Sequence, residues 1–309
     1  DHPVARFIPS FQNLQVFAAG DAQHYQTTPP ARPVTIRDLF THTAGFAYGL
    51  ASNQHPVDVL YRERGVLNGT LAEMIAKLSE LPLLFSPGTR WNYSVATDIL
   101  GYLVEQIAGQ PLDQYFAEQI LGPLGMVDTG FVVPEAKRAR FAANYAFHEG
   151  GFRPIDESAT RSYLKPPVML SGGGGLVSTC ADYLRFAQML LNKGELNGVR
   201  ILGRKTVALM TSNHLPNHGD LSSMGMPVFS ETPYDGVGFG LGISVMLDPA
   251  KAQILGSPGE FAWGGAASTA FWVDPVEEQI VIFLTQLMPS SSYPIRRELR
   301  VLTYQAMTT

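Results

Sequence analysis

Residues 85–94 read Phe85-Ser86-Pro87-Gly88-Thr89-Arg90-Trp91-Asn92-Tyr93-Ser94, a proline–glycine turn running into a tyrosine just ahead of a long apolar periodicity. Downstream, Ile99, Leu100, Leu103, Val104 and Ile107 recur at helical spacing, and Gly109 and Pro111 supply the stop. A tyrosine is thus placed at the start of a buried helix. Moving outward, three further helix starts share one capping chemistry: Thr35 with Asp38, Thr70 with Glu73 and Thr179 with Asp182. Each sets a hydroxyl at the N-cap and a carboxylate three residues on, so both can satisfy orphan amides. Leu71, Met74, Ile75 and Leu78 then line one helical face, as do Tyr183, Phe186, Ala187 and Leu190. The middle of the chain is mainly helical.

The last quarter has a different period. Val237, Phe239, Leu241, Ile243, Val245 and Leu247 alternate with Gly236, Gly238, Gly240 and Gly242. This predicts one strand with a bare face that another element can approach closely. Residues 270–273 and 280–284 predict a hairpin, and Pro294 opens a terminal helix with Ile295, Leu299 and Leu302 on one face. The change from helix to strand falls near residue 230. Three strands make a thin sheet for a core of this size, so further strands are expected from elsewhere.

The chain has 309 residues, 45% hydrophobic and 16% charged, and a net charge of -5. That balance is globular and argues against nucleic acid as a partner. No apolar run reaches membrane-spanning length, and Asp1, His2 and Pro3 do not begin a secretion signal. The single cysteine, Cys180, excludes an internal disulfide, and the burial habit of free thiols predicts a packed residue.

Four stretches together resemble the serine β-lactamase and penicillin-binding-protein family, in the form of its family VIII carboxylesterases. They are Val34-Thr35-Ile36-Arg37-Asp38-Leu39-Phe40-Thr41-His42-Thr43-Ala44-Gly45, the tyrosine segment above, Gly172-Gly173-Gly174-Gly175-Leu176-Val177-Ser178-Thr179, and Trp263-Gly264-Gly265. They stand in the family's order, and the likeness runs almost the full chain. The resemblance implies an α/β (α+β) fold: an antiparallel sheet flanked by helices, built from both ends of the chain, plus a mainly helical lobe. On that basis residues 1–230 are the helical lobe with connecting segments, and residues 231–309 are C-terminal strands and helix. Asp1 to Pro9 resembles the segment after the family's nucleophile helix. The nucleophile, the serine of Ser-x-x-Lys, is therefore expected upstream of residue 1 or on a second polypeptide.

The resemblance makes Tyr93 the proton shuttle. A phenol with a reference pKa of about 10 is a poor base near neutrality unless a cation stabilises the phenolate, so a lysine must accompany it. Val95 stands where lactamases carry an asparagine that grips the substrate amide, and an apolar side chain gives no such grip. Trp263 replaces the lysine of the third lactamase signature and brings no charge for a substrate carboxylate. Both departures favour neutral esters. Gly264 and Gly265 are expected to let substrate lie along the strand, with the Ala266 amide as one oxyanion donor.

Ser162-Tyr163-Leu164-Lys165 also fits Ser-x-x-Lys, but Pro166 and Pro167 disfavour the helix that would bring lysine to serine. No Gly-x-Ser-x-Gly elbow occurs. Gly172–Gly175 is a tight turn rather than a phosphate cradle, since no Lys-Ser/Thr follows. His214 and His218 are separated by Pro216 and are not expected to share a metal; no metal or cofactor is anticipated, and His42 is read as structural. The expected function is hydrolysis of short-chain carboxylic esters through an acyl-enzyme, with residues 1–309 inactive alone. The alternatives are a β-lactamase or D-alanyl peptidase, or a non-catalytic relative that binds a ligand or partner. Expected partners are a small ester substrate and a complementing N-terminal segment or a second copy.

Overall fold

The computed structural model describes residues 1–50, 54–148, 151–155, 162–225 and 234–308. The sequence boundary at 230/231 lies outside the described residues. The chain forms two compact units. The first comprises Asp1–Tyr115, Val168–Gly175 and Met224–Met226; the second comprises Phe116–Pro167, Leu176–Ser223 and Pro227–Thr309.

The first unit contains a hairpin of β1 (Val16–Gly20) and β2 (Tyr25–Thr28) and the helices α1 (Ile36–Phe40), α2 (Pro56–Glu63), α3 (Leu71–Ser79) and α4 (Ala96–Ala108). The capping boxes of α1 and α3 are both complete. In α3 the Thr70 amide donates to Glu73 at 2.7 Å and the Glu73 amide donates to Thr70 at 3.2 Å. All four apolar positions of α3 are buried and pack toward α4, where Ile99 and Leu103 join the same core. Gly109 ends α4 in the left-handed region, φ 68°. Ile107 is 63% exposed, against expectation. Successive i+4 steps drift about 40° around a helix of 3.6 residues per turn, so the second step beyond Ile99 walks off the buried stripe.

In the second unit, β3 (Tyr145–His148) and β4 (Gly151–Pro154) pair, and α5 (Cys180–Leu191) packs on the main sheet. That sheet is antiparallel, with β5 (Val237–Phe239), β6 (Ser244–Met246), β7 (Phe261–Gly264), β8 (Ala270–Asp274) and β9 (Gln279–Phe283) in the order β9-β8-β7-β6-β5. β10 (Leu287–Met288) adds to β3, and α6 (Ile295–Gln305) closes the chain. The stretch read as a single strand from 237 to 247 is therefore a hairpin, with Val237 opposite Met246 and Phe239 opposite Ser244. Gly242 takes φ +87° to make the turn, and the Gly240 amide donates to Ile243 O at 2.7 Å. The predicted close approach is present: a Cβ on Gly240 would lie 2.1 Å from Met210 O. Splitting that segment, together with β7, gives five strands between 237 and 283 where the sequence pattern shows three.

Phe271 meets Tyr183 of α5 edge-on at 5.0 Å, while its neighbour Trp272 lies under Arg300 of α6 at 4.6 Å. Adjacent strand residues point to opposite faces, so α5 and α6 cover opposite sides of the sheet. The third capping pair is half formed. Thr179 accepts from the Asp182 amide at 3.2 Å, but the Asp182 carboxylate accepts instead from the Asp128 amide at 2.6 Å and the Thr129 hydroxyl at 2.9 Å. Cys180 is exposed rather than packed; burial along α5 starts at Asp182. The terminal helix also departs from its reading: Leu302 is 59% exposed, and the docking face is polar. Arg296, Arg300 and Tyr304, at i, i+4 and i+8, reach the sheet. Arg300 pairs with buried Glu260, and the Tyr304 hydroxyl lies 2.7 Å from both Glu260 and Asp274.

Candidate active site

In the first unit the segment before α4 is fastened to residues 42–47. The Asn92 amide donates to His42 O at 2.9 Å, the Asn92 side chain to Phe46 O at 3.0 Å, and the Val95 amide to Ala47 O at 3.1 Å. Between these anchors Tyr93 is half-buried. Its ring stacks on Tyr48 (5.5 Å, 10°) and lies 4.8 Å from the His42 ring. The Ser94 amide donates to His42 Nδ1 at 3.3 Å, so Nδ1 is an acceptor and the ring hydrogen is on Nε2. The Ser94 hydroxyl approaches the same nitrogen at 3.2 Å and accepts from the Ala96 amide at 3.3 Å, which caps α4. Burial alone pulls His42 down to about 3, so it is a neutral imidazole. Burial, with Tyr93 and Asp98 adding to it, pushes the Tyr48 phenol above its ordinary range, leaving it a hydrogen-bond donor.

Asp98, one turn into α4, is buried, and this lifts its carboxyl above the usual range. It accepts from the Ser171 hydroxyl and, at 3.2 Å, from the Gly173 amide. These bonds seat the glycine run on the helix. A Cβ on Gly172 would lie 2.2 Å from Thr97 O and 3.1 Å from Gly101 Cα. Close backbone contact with α4 explains Gly172. Val95 requires a correction. It is fully buried in the core of the first unit and offers no wall to a substrate. At the N-cap it belongs to the same buried cluster as Ala96 and Ile99, and the polar group that an asparagine would supply is absent.

In the second unit β7 carries the remaining candidates. Trp263 faces the α5 side, meeting Phe239 edge-on at 5.3 Å. Gly264 faces α6, where a Cβ would lie 2.7 Å from the Arg296 guanidinium carbon. A Cβ on Gly265 would meet the Thr269 hydroxyl at 2.4 Å. Both glycines are therefore required by groups of the protein itself. Ala266 is exposed in the turn between β7 and β8, and its amide donates to no group among the described residues. Ser162 to Lys165 runs through a turn, with the Tyr163 carbonyl accepting from the Val133 amide at 2.8 Å. His214 engages Leu209 O at 2.7 Å. No group of three or more metal-ligating side chains occurs among the described residues, and no described helix is long and apolar enough to cross a membrane. Tyr48, Ser171 and Arg296 were not singled out from the sequence. The Gly45–Gly49 spacing around Tyr48 was the one available signal.

Residues 1–305 match the Beta-lactamase family. The chain belongs to that family. Protein Rv1367c of Mycobacterium tuberculosis is 37% identical over 294 residues, covering 94% of this chain and 71% of that protein. Esterase EstB of Burkholderia gladioli is 30% identical over 310 residues, covering 92% of this chain and 70% of EstB. Among solved structures, EstCE1, described as a hydrolase with promiscuous acyltransferase activity, superposes with a TM-score of 0.79 at 28% identity, covering 98% of this chain and 77% of EstCE1. The fold is β-lactamase/transpeptidase-like, and esterases and acyltransferases of this family are its relatives.

Proposed function

We propose that this β-lactamase-family protein cleaves short-chain carboxylic esters through an acyl-enzyme. Tyr93 acts as proton shuttle, Ala266 N–H as one oxyanion donor, and a serine from outside residues 1–309 as nucleophile. The serine oxygen bonds to the ester carbonyl carbon while its proton passes through the Tyr93 oxygen to the departing alkoxide. Water then attacks the acyl carbon, and its proton returns by the same oxygen to the serine. The observation that carries the reading is the mounting of Tyr93: half-exposed, stacked on Tyr48, and fixed through Ser94 to a neutral imidazole. The lack of an amide-gripping side chain at 95 and of a charge at 263 favours esters over lactams, and the similarity to EstB points the same way.

The test compares a chromogenic butyrate ester with a chromogenic cephalosporin. The ester is expected to turn over faster, and Tyr93→Phe to lower its kcat by about 10²–10⁴. Residues 1–309 alone are expected to give no acyl-enzyme burst, because loss of a nucleophile costs on the order of 10⁶ in rate. Preferential cephalosporin cleavage would make the protein a lactamase, and saturable binding without turnover would make it a non-catalytic relative.

A further inference from the structure

The terminal helix reaches the candidate oxyanion turn through one side chain. Arg296 Nη2 donates to Gly265 O at 2.7 Å and to Thr269 O at 2.9 Å, using its two hydrogens on the two carbonyls that flank the turn. Gly265 C=O and Ala266 N–H belong to the same planar trans peptide unit, so they point in opposite directions. A guanidinium bound to the carbonyl end fixes the plane of that unit and sends its N–H away from α6. The Gly264 position is consistent with this arrangement. It lies on the α6 face of β7, and the guanidinium occupies the space that a Cβ would take, 2.7 Å from the arginine carbon.

Charge adds to geometry. A cation hydrogen-bonded to a peptide oxygen draws electron density from the amide nitrogen and strengthens its N–H as a donor. The Gly265 amide is already committed to Thr269 O at 3.0 Å, and the Ser268 amide to Gly265 O at 3.1 Å. Ala266 N–H is an exposed donor of this turn that no group of the described residues uses.

We infer that Arg296 is a positioning residue for the oxyanion hole: it orients and polarises the Gly265–Ala266 peptide so that the Ala266 amide is preorganised for an oxyanion. This rests on the ester-hydrolase reading for its catalytic meaning, while the polarised peptide itself does not. It also explains why the docking face of α6 is polar where an apolar stripe would have packed more simply.

The experiment has two arms. In the ester-hydrolysing form of the enzyme, Arg296→Gln and Gly264→Ala, which displaces the guanidinium without removing it, should each lower kcat about 10- to 100-fold with KM unchanged, a share of the effect of deleting an oxyanion donor. Arg296→Lys, which keeps a charged donor, should recover part of the loss, and Arg297→Gln on the next helix position should behave as wild type. In the second arm, which needs no turnover, the ¹H–¹⁵N resonance of Ala266 should move upfield in Arg296→Gln while the rest of the spectrum keeps its dispersion. An unchanged kcat, a loss confined to KM, or an unmoved Ala266 resonance overturns the inference. Absence of ester hydrolysis in the wild type would count against the proposed function, and the Ala266 resonance would then decide the inference alone.

Discussion

His42 makes the first unit sensitive to acid, and the size of the effect follows from its burial. In the unfolded chain its imidazole has an ordinary pKa of 6.5; in the fold, burial pulls it down to about 3. As pH falls below 6.5 the unfolded chain takes up a proton that the folded chain does not, so stability declines until about pH 3, below which the loss is complete. Each unit of pKa difference corresponds to about 1.36 kcal/mol. At about pH 4.5, two units below the unfolded value, the loss from this one residue is therefore ~3 kcal/mol. Other groups titrate over the same range, so the comparison is with His42→Gln, whose amide oxygen can still accept from the Ser94 amide but does not titrate. Urea unfolding at about pH 7 and pH 4.5 should show the wild type losing ~3 kcal/mol more than the variant. The His42 Cε1 proton should show no titration step in the folded protein above about pH 4. Equal losses in the two proteins, or a His42 midpoint near the ordinary value, would refute the argument.

Gly172→Ala should lower stability by about 1–3 kcal/mol, because the new Cβ would start 2.2 Å from Thr97 O; an unchanged Tm would show that the glycine turn does not press on α4. Glu260→Ala should cost about 3–5 kcal/mol by leaving a largely buried Arg300 without its carboxylate, and Glu260→Gln should cost less, both read by chemical denaturation. Asp182→Ala should destabilise by about 1–3 kcal/mol, since the Asp128 amide loses its acceptor. Accelerated hydrogen exchange at Asp128 would accompany that loss.

What the sequence disclosed was the part governed by local rules. Thr35, Thr70 and Thr179 cap their helices because a hydroxyl and three free amides are enough to define a helix start, and α3 buries the four residues its period names. The β8–β9 hairpin was equally local. The reading failed where partners came from far along the chain. Period 2 between 237 and 247 could not reveal the turn at Gly242, because both arms of the hairpin keep the same alternation. Arg296, Arg300 and Tyr304 give no local signal, because Glu260, Asp274 and the Gly265 carbonyl come opposite them only in the fold. Val95 was read through a family position, and only packing shows that its side chain points into the core. For Tyr93 the segment was legible, but its setting was not: Tyr48 and His42 lie about 45 to 51 residues upstream.

The phenol of Tyr304 has one hydrogen and two carboxyl neighbours, each at 2.7 Å. Its one hydrogen is shared between two acceptors. Burial, only partly offset by Arg300, lifts Glu260 above the usual carboxylate range. Between its ordinary and its raised value the folded helix therefore retains a proton that the unfolded chain would release, and its grip is firmest in acid and slackens as pH rises through that interval. His42 tilts the first unit the other way. A single polypeptide therefore carries two opposed responses to acidity, one in each half of its architecture.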